Sequence, residues 1–174
     1  MLFSGEKVSA KEILLLGDER LYQVSTPLSV NELEQASKII RDLKDTLAEF
    51  QKKYGFGRAI AAPQIGEFKQ VIYLETGDLA IGFINPVLTF SLEEQFEVWD
   101  DCMSFPGLEV RLLRFKKARV TYRDLSWKAC ELEFEDDLSE LIQHEYDHLE
   151  GILAVQKAMN LKSFRVNKKK ALCF

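Results

Sequence analysis

The chain has 174 residues, 47% of them hydrophobic and 29% charged, which suits one soluble domain over residues 1–174 with a real core. Its net charge of −5 argues against non-specific binding to nucleic acid, and no direct sequence-specific binding is expected either. Three cysteines are too few, and odd in number, for a disulfide scaffold, so a reducing cytoplasm fits.

Along the chain, Met1-Leu2-Phe3-Ser4-Gly5-Glu6 lacks the basic-then-apolar pattern of a leader, and no apolar run is long enough to span a bilayer, so no membrane role is expected. Ile13 to Leu16, followed by Gly17-Asp18, reads as a short extended segment and a turn. Ser29-Val30-Asn31-Glu32 is a capping box, and Leu33, Ile40, Leu43, Leu47 and Phe50 recur at helical spacing up to a stop at Gly55. An amphipathic helix is therefore expected over residues 30–53. Gly57-Arg58-Ala59-Ile60-Ala61-Ala62-Pro63-Gln64-Ile65-Gly66 is rich in small residues and suggests a tightly packed loop and short strand.

Strand-like runs follow at Gln70–Leu74, Leu79–Ile84, Val87–Ser91, Phe96–Asp100, Leu108–Leu113, Lys117–Arg123 and Ala129–Phe134, with turns at Asn85-Pro86 and Asp124–Trp127. Partial alternation at Val110, Leu112, Val120, Tyr122, Leu132 and Phe134 fits half-buried antiparallel strands. Asp136 or Asp137 then caps a helix carrying Leu138, Leu141, Ile142, Leu149, Ile152 and Leu153, which should lie buried between sheets. The stretch from Leu161 is ambiguous, and Lys168-Lys169-Lys170 reads as a solvated tail.

That last long helix carries Gln143-His144-Glu145-Tyr146-Asp147-His148, and its histidines are the only two in the chain. Positions four apart share a helix face, so both imidazoles can reach one divalent ion, with Glu145 one step round to handle a proton. A catalytic site of this kind takes three protein ligands and leaves a position for water. After Glu150, which is too close along the helix to join, no Asp, Glu or His follows; Cys173 is the remaining downstream candidate. The third ligand is therefore sought upstream. Cys102 is the best candidate, since Trp99-Asp100-Asp101-Cys102-Met103-Ser104-Phe105-Pro106-Gly107 looks like a strand running into a turn, and a thiolate with two imidazoles suits Zn²⁺ or Fe²⁺.

Three segments together resemble the peptide deformylases, metal amidases that remove the formyl group from the starting methionine of new polypeptides. They are Gly57-Arg58-Ala59-Ile60-Ala61-Ala62-Pro63-Gln64, Asp100-Asp101-Cys102-Met103-Ser104, and Gln143 through His148. The resemblance covers nearly the whole chain. It implies an α+β fold with antiparallel β-sheets packed around the central helix that carries the motif. It implies Cys102, His144 and His148 as ligands of one divalent ion, with Fe²⁺ expected natively and Zn²⁺, Ni²⁺ or Co²⁺ accepted. It gives Glu145 the role of general acid/base, Gln64 and the backbone amide of Met103 the oxyanion site, and Ala59, Ile60 and Asp101 contacts to substrate. Asp147 is expected to orient a ligand histidine through its ring N–H. The partners implied are formylated N-termini of nascent polypeptides, met in the cytoplasm and at the ribosome.

The chain departs from the family pattern around that set. Ala59 stands where the family has glycine and Ile60 where it has leucine; Asp100-Asp101 replaces Glu-Gly. Glu140, four residues before His144, and Arg58 place opposite charges where the family's methionine pocket is apolar, and an ion pair between them is expected. Glu140 reads equally well as a solvated helix residue. Cys130 and Cys173 read as bystanders. The alternatives kept open are a hydrolase of another small N-acyl amide or of a non-methionine first residue, and a non-catalytic metal- or peptide-binding relative.

Overall fold

A computed structural model describes residues 10–77, 79–90 and 94–171. Cys173, the run Met1–Glu6 and the strand end at Ser91 lie outside the described residues.

The first long helix, α1 (Leu33–Tyr54), is entered through a 3-10 turn at Val30–Glu32. Glu32 Oε2 accepts the Ser29 backbone N–H and the Ser29 hydroxyl, each at 2.8 Å, so the capping residues do what their spacing predicts. Gly55, at φ 76°, closes the far end in the left-handed region, and its N–H donates to the Gln51 carbonyl at 2.8 Å.

Strands β1 (Ala59–Ala61), β2 (Val71–Thr76), β3 (Leu79–Phe90), β6 (Lys117–Arg123) and β7 (Ala129–Glu135) form an antiparallel sheet in the order β1-β2-β3-β6-β7. A second antiparallel sheet, in the order β4-β5-β8, joins β4 (Gln95–Asp101), β5 (Leu108–Phe115) and β8 (Phe164–Val166). The second long helix, α2 (Asp136–Leu149), touches strands of both sheets.

Alternation explains why β1 and the first four residues of β2 are apolar without a break. Ile60, Val71 and Tyr73 pack with α1, while Ala59, Ala61, Ile72 and Leu74 pack with Leu141, Ile142 and Leu149 of α2. The sheet is covered on both faces there, so both registers must be hydrophobic. Together these elements make the expected α+β fold, with antiparallel sheets around the central helix.

Several details differ from expectation. Asn85-Pro86 is a bulge inside one bent strand, not a turn between two: the β3–β6 register shifts between Ile84 and Val87, and Asn85 takes φ 48°. Its side chain substitutes for ladder bonds, accepting the Leu28 N–H at 2.8 Å and donating to the Leu28 carbonyl at 2.7 Å. Helix α2 stops at Leu149, so Ile152 and Leu153 lie beyond it. Gly151 turns the chain at φ 69°, where a Cβ would lie 2.5 Å from the Tyr22 carbonyl oxygen. No side chain of the residue before α2 caps its first turn; Asp136 opens the helix at φ 50°, in the left-handed region, and the Asp137 carboxylate accepts from Arg58. The ambiguous C-terminal stretch adds β8 to β5 and ends in a helical turn, α3 (Lys168–Ala171).

Candidate metal centre and cleft

Helix α2 is fastened to β5 immediately before its first histidine. Gln143 Oε1 accepts the Phe115 N–H at 3.0 Å, and Gln143 Nε2 donates to the Phe115 carbonyl at 2.8 Å. The next turns carry His144 and His148 inward. His148 Nε2 lies 3.2 Å from His144 Nε2 and 3.2 Å from Cys102 Sγ, and the three ligand atoms all fall within 4.8 Å of one another. A tetrahedral ion with bonds of about 2.0–2.3 Å holds neighbouring ligand atoms roughly 3.3–3.6 Å apart. Two of the three separations are close to that spacing and the third is within 4.8 Å, so one sulfur and two ring nitrogens converge where one such ion could be held, and all three side chains are buried.

Cys102 lies at the end of β4, where the chain turns. Its sulfur accepts from the Ser104 N–H at 3.4 Å and from Gln64 Nε2 at 3.5 Å. Gln64 sits in the 3-10 turn Ala62–Ile65. Its Oε1 accepts the Ala61 N–H at 2.9 Å and its Nε2 also donates to Ser104 Oγ at 3.2 Å, so the amide nitrogen is aimed at the centre. The extended segment at Ile13–Leu16 ties the two loops together: Leu14 N–H donates to the Gln64 carbonyl and Leu16 N–H to the Ser104 carbonyl, each at 2.8 Å.

Behind His144 runs a buried ionic chain. Asp100 Oδ1 is 2.6 Å from His144 Nδ1, and Asp100 Oδ2 accepts from Arg114 Nη2 at 2.7 Å. Arg114 Nη1 donates to Asp147 Oδ2 at 2.5 Å, and Lys157 reaches Asp147 Oδ1 at 2.6 Å. The expected role of Asp147 is thus corrected: it holds Arg114, and Asp100 is the carboxylate beside the His144 ring. Burial disfavours a charged His144 ring, but the charges of Asp100 and Cys102 outweigh it and raise its pKa well above the usual value. Burial, reinforced by His144, holds His148 well below that value. Burial works against ionisation of Asp100, yet His144 and Arg114 keep its pKa lowered.

Glu145 is 3% exposed, and burial pushes its carboxyl up to about 7. Its Oε2 is buried with no hydrogen-bond partner among the described residues, an acceptor without a donor at the wall of the cleft.

That cleft, about 450 Å³, runs between β1 and β4, each the end strand of its sheet. Gln64, Cys102, Met103, His144 and Glu145 line it, as do Ala59 and Asp101. Ile60, expected as a substrate contact, does not: the whole residue is buried in the α1 cluster. Glu140 is a wall residue and not a solvated one, with its carboxyl raised to about 7 by burial and by the Asp100 charge. The expected ion pair is present, Arg58 Nη2 lying 3.6 Å from Glu140 Oε2, but Arg58 Nη1 bonds more closely to Asp137 Oδ2 at 2.6 Å. Lys170 is no solvated tail residue: its ammonium donates to Asp101 Oδ2 at 2.8 Å and sits 4.8 Å over the Phe56 ring. Cys130 lies away from the centre, as expected of a bystander.

The family model for polypeptide deformylase matches residues 10–164. Peptide deformylase 2 of Clostridium perfringens is 33% identical over 156 residues, covering 88% of this chain and 96% of the relative. The crystal structure of peptide deformylase from Thermotoga maritima superposes with a TM-score of 0.78 at 26% identity, covering 87% of this chain and 99% of that one. The Met-Ala-Ser-bound class I type b peptide deformylase from Acinetobacter baumannii gives the same TM-score of 0.78 at 26% identity, with 87% and 99% covered. With the sequence matched along most of its length and the fold shared, this chain belongs to the peptide deformylase family.

Proposed function

We propose that this chain, acting as one catalytic domain, hydrolyses the N-formyl group from the starting formyl-methionine of newly made polypeptides, releasing formate and a free amino terminus. The observation that carries the reading is the convergence of Cys102 Sγ, His144 Nε2 and His148 Nε2 beside the buried carboxyl of Glu145. Cys102, His144 and His148 would hold one divalent ion, with Fe²⁺ as the native choice and Zn²⁺, Ni²⁺ or Co²⁺ as substitutes. When bound, that ion brings water toward a neutral pKa and polarises the formyl carbonyl.

The other steps belong to side chains of this protein. Asp100, beside His144 Nδ1, fixes the tautomer that leaves Nε2 as the ligand atom. Glu145 takes the proton from the attacking water and returns it to the leaving amine nitrogen, and a pKa near 7 suits a group that must do both. Gln64 Nε2 and the Met103 backbone N–H supply neutral donors to the developing oxyanion; the Gln64 N–H that lies 3.5 Å from Cys102 Sγ is the one that turns to it, while the bonds to Ala61 and Ser104 hold the amide in place. The edges of β1 and β4 offer backbone partners to an extended peptide, with Ala59 and Asp101 along its path. An Acinetobacter relative that binds Met-Ala-Ser supports a peptide of this kind. The substrate would be met in the cytoplasm, as nascent chains leave the ribosome.

Formate release from formyl-Met-Ala-Ser, assayed on protein purified without oxygen, tests this directly. Turnover by the native protein, and its loss in Glu145→Gln with the metal retained, is the expected pair of results. Metal-loaded protein that releases no formate would refute it.

A further inference from the structure

The mechanism above leaves one charged cluster of the cleft without a task. Glu140 lies one helical turn before His144, its side chain only 15% exposed. Its Oε2 is 3.6 Å from Arg58 Nη2, beyond hydrogen-bond length, while the other arm of Arg58 is committed to Asp137 at 2.6 Å. A carboxylate with acceptor capacity and a guanidinium with donor capacity thus stand side by side on the wall next to the metal centre.

An extended peptide laid between β1 and β4 turns alternate side chains toward α2 and toward solvent. With the formyl carbon at the Cys102–His144–His148 centre, the first residue follows immediately. The part of α2 adjoining His144 on the cleft wall is Glu140 and Leu141, with Arg58, just before β1, beside Glu140. Resting on the deformylase reading, we infer that Glu140 and Arg58 are specificity-determining residues for the first side chain, and that their pocket takes a polar one bearing both a donor and an acceptor alongside methionine.

Glutamine is the model for such a side chain. It is close to methionine in length and shape. Its amide N–H donates to Glu140, and its carbonyl accepts from Arg58. A thioether makes neither bond and covers both charged groups from water without compensation. That cost offsets the apolar gain that otherwise favours methionine.

The test compares kcat/KM for formyl-Met-Ala-Ser and formyl-Gln-Ala-Ser on the full, metal-loaded chain. The ratio within each variant cancels any loss of folded or metal-bound protein. The native protein is expected to hold the two substrates within about tenfold of each other. Glu140→Leu should raise the methionine-to-glutamine ratio by about tenfold or more, and Arg58→Leu should move it the same way. Glu140→Gln keeps an acceptor and should stay near the native ratio. A ratio that stays within about threefold of native in both leucine variants would overturn the inference. Failure to release formate from either peptide would instead strike the deformylase reading beneath it.

Discussion

Asp100 and His144 meet at 2.6 Å, carboxylate oxygen to Nδ1, and the carboxylate's other oxygen is held by Arg114 at 2.7 Å. The His144 ring on α2 is therefore held by a residue of β4, and Arg114 of β5 is held in turn by Asp147 of the same helix as the ring. Charges this deeply buried are kept because each is paired.

Arg114→Met is expected to cost about 3–5 kcal/mol of stability, since it removes the one guanidinium between two buried carboxylates and leaves Asp100 with His144 alone and Asp147 with Lys157 alone. Thermal unfolding measures it. A loss below about 1 kcal/mol, the range of exposed pairs, would show that the chain of charges is not structural.

Asp100→Asn keeps the shape and removes the charge beside His144. Metal affinity should fall by about 10–100-fold with the fold retained. Competition with a chelator reads the affinity and circular dichroism reads the fold. Asp147→Asn, one step further from the ring, should weaken metal binding less; the reverse order would contradict the assignment of Asp100 over Asp147.

Gln143→Leu removes the side-chain acceptor of the Phe115 N–H, while the Phe115 carbonyl keeps the Ser139 hydroxyl at 2.8 Å. A loss of about 1–3 kcal/mol is expected for leaving that N–H without its acceptor in a part-buried place. Hydrogen exchange at Phe115 N–H should accelerate well beyond that of other β5 amides. Unchanged protection there would mean that water or a shifted side chain replaces the bond.

Glu32 sets an acid dependence. Its carboxyl is lowered from 4.5 to about 2, first by the Ser29 backbone N–H, then by the Ser29 hydroxyl and Lys69. The folded value lies below the ordinary one, so its stabilisation is complete above about pH 4.5 and is lost as the pH falls toward 2. Glu32→Gln should therefore lower the melting temperature at pH 7, and the gap to the native protein should close on acidification through that window. A gap that stays constant with pH would contradict the linkage.

The spacing of His144 and His148 was legible because a helix converts four residues into one face, and Cys102 because no acidic or histidine residue follows Glu150. The runs at Lys117–Arg123 and Ala129–Glu135 were legible because alternation there meets solvent on one side. Arg114 was not, because a lone arginine within a strand normally reads as a solvent-facing position, and only partners distant in sequence reveal that it is buried. Asp147 looked like the histidine's partner because it is adjacent in sequence; Asp100 acts instead because β4 brings it against the outer side of the ring. Asn85-Pro86 has turn composition, yet the Asn85 amide imitates a strand neighbour and the sheet continues past it. Lys170 reads as part of a solvated basic run until β8 folds the chain back toward Asp101.

The account depends on one sulfur and two nitrogens around a single divalent ion. X-ray absorption at the metal edge of protein loaded with Zn²⁺ measures this most directly. It should find one sulfur at about 2.3 Å, two imidazole nitrogens at about 2.0–2.1 Å, and a light oxygen scatterer completing the shell. A shell without sulfur, or one completed by a fourth protein ligand, would contradict it.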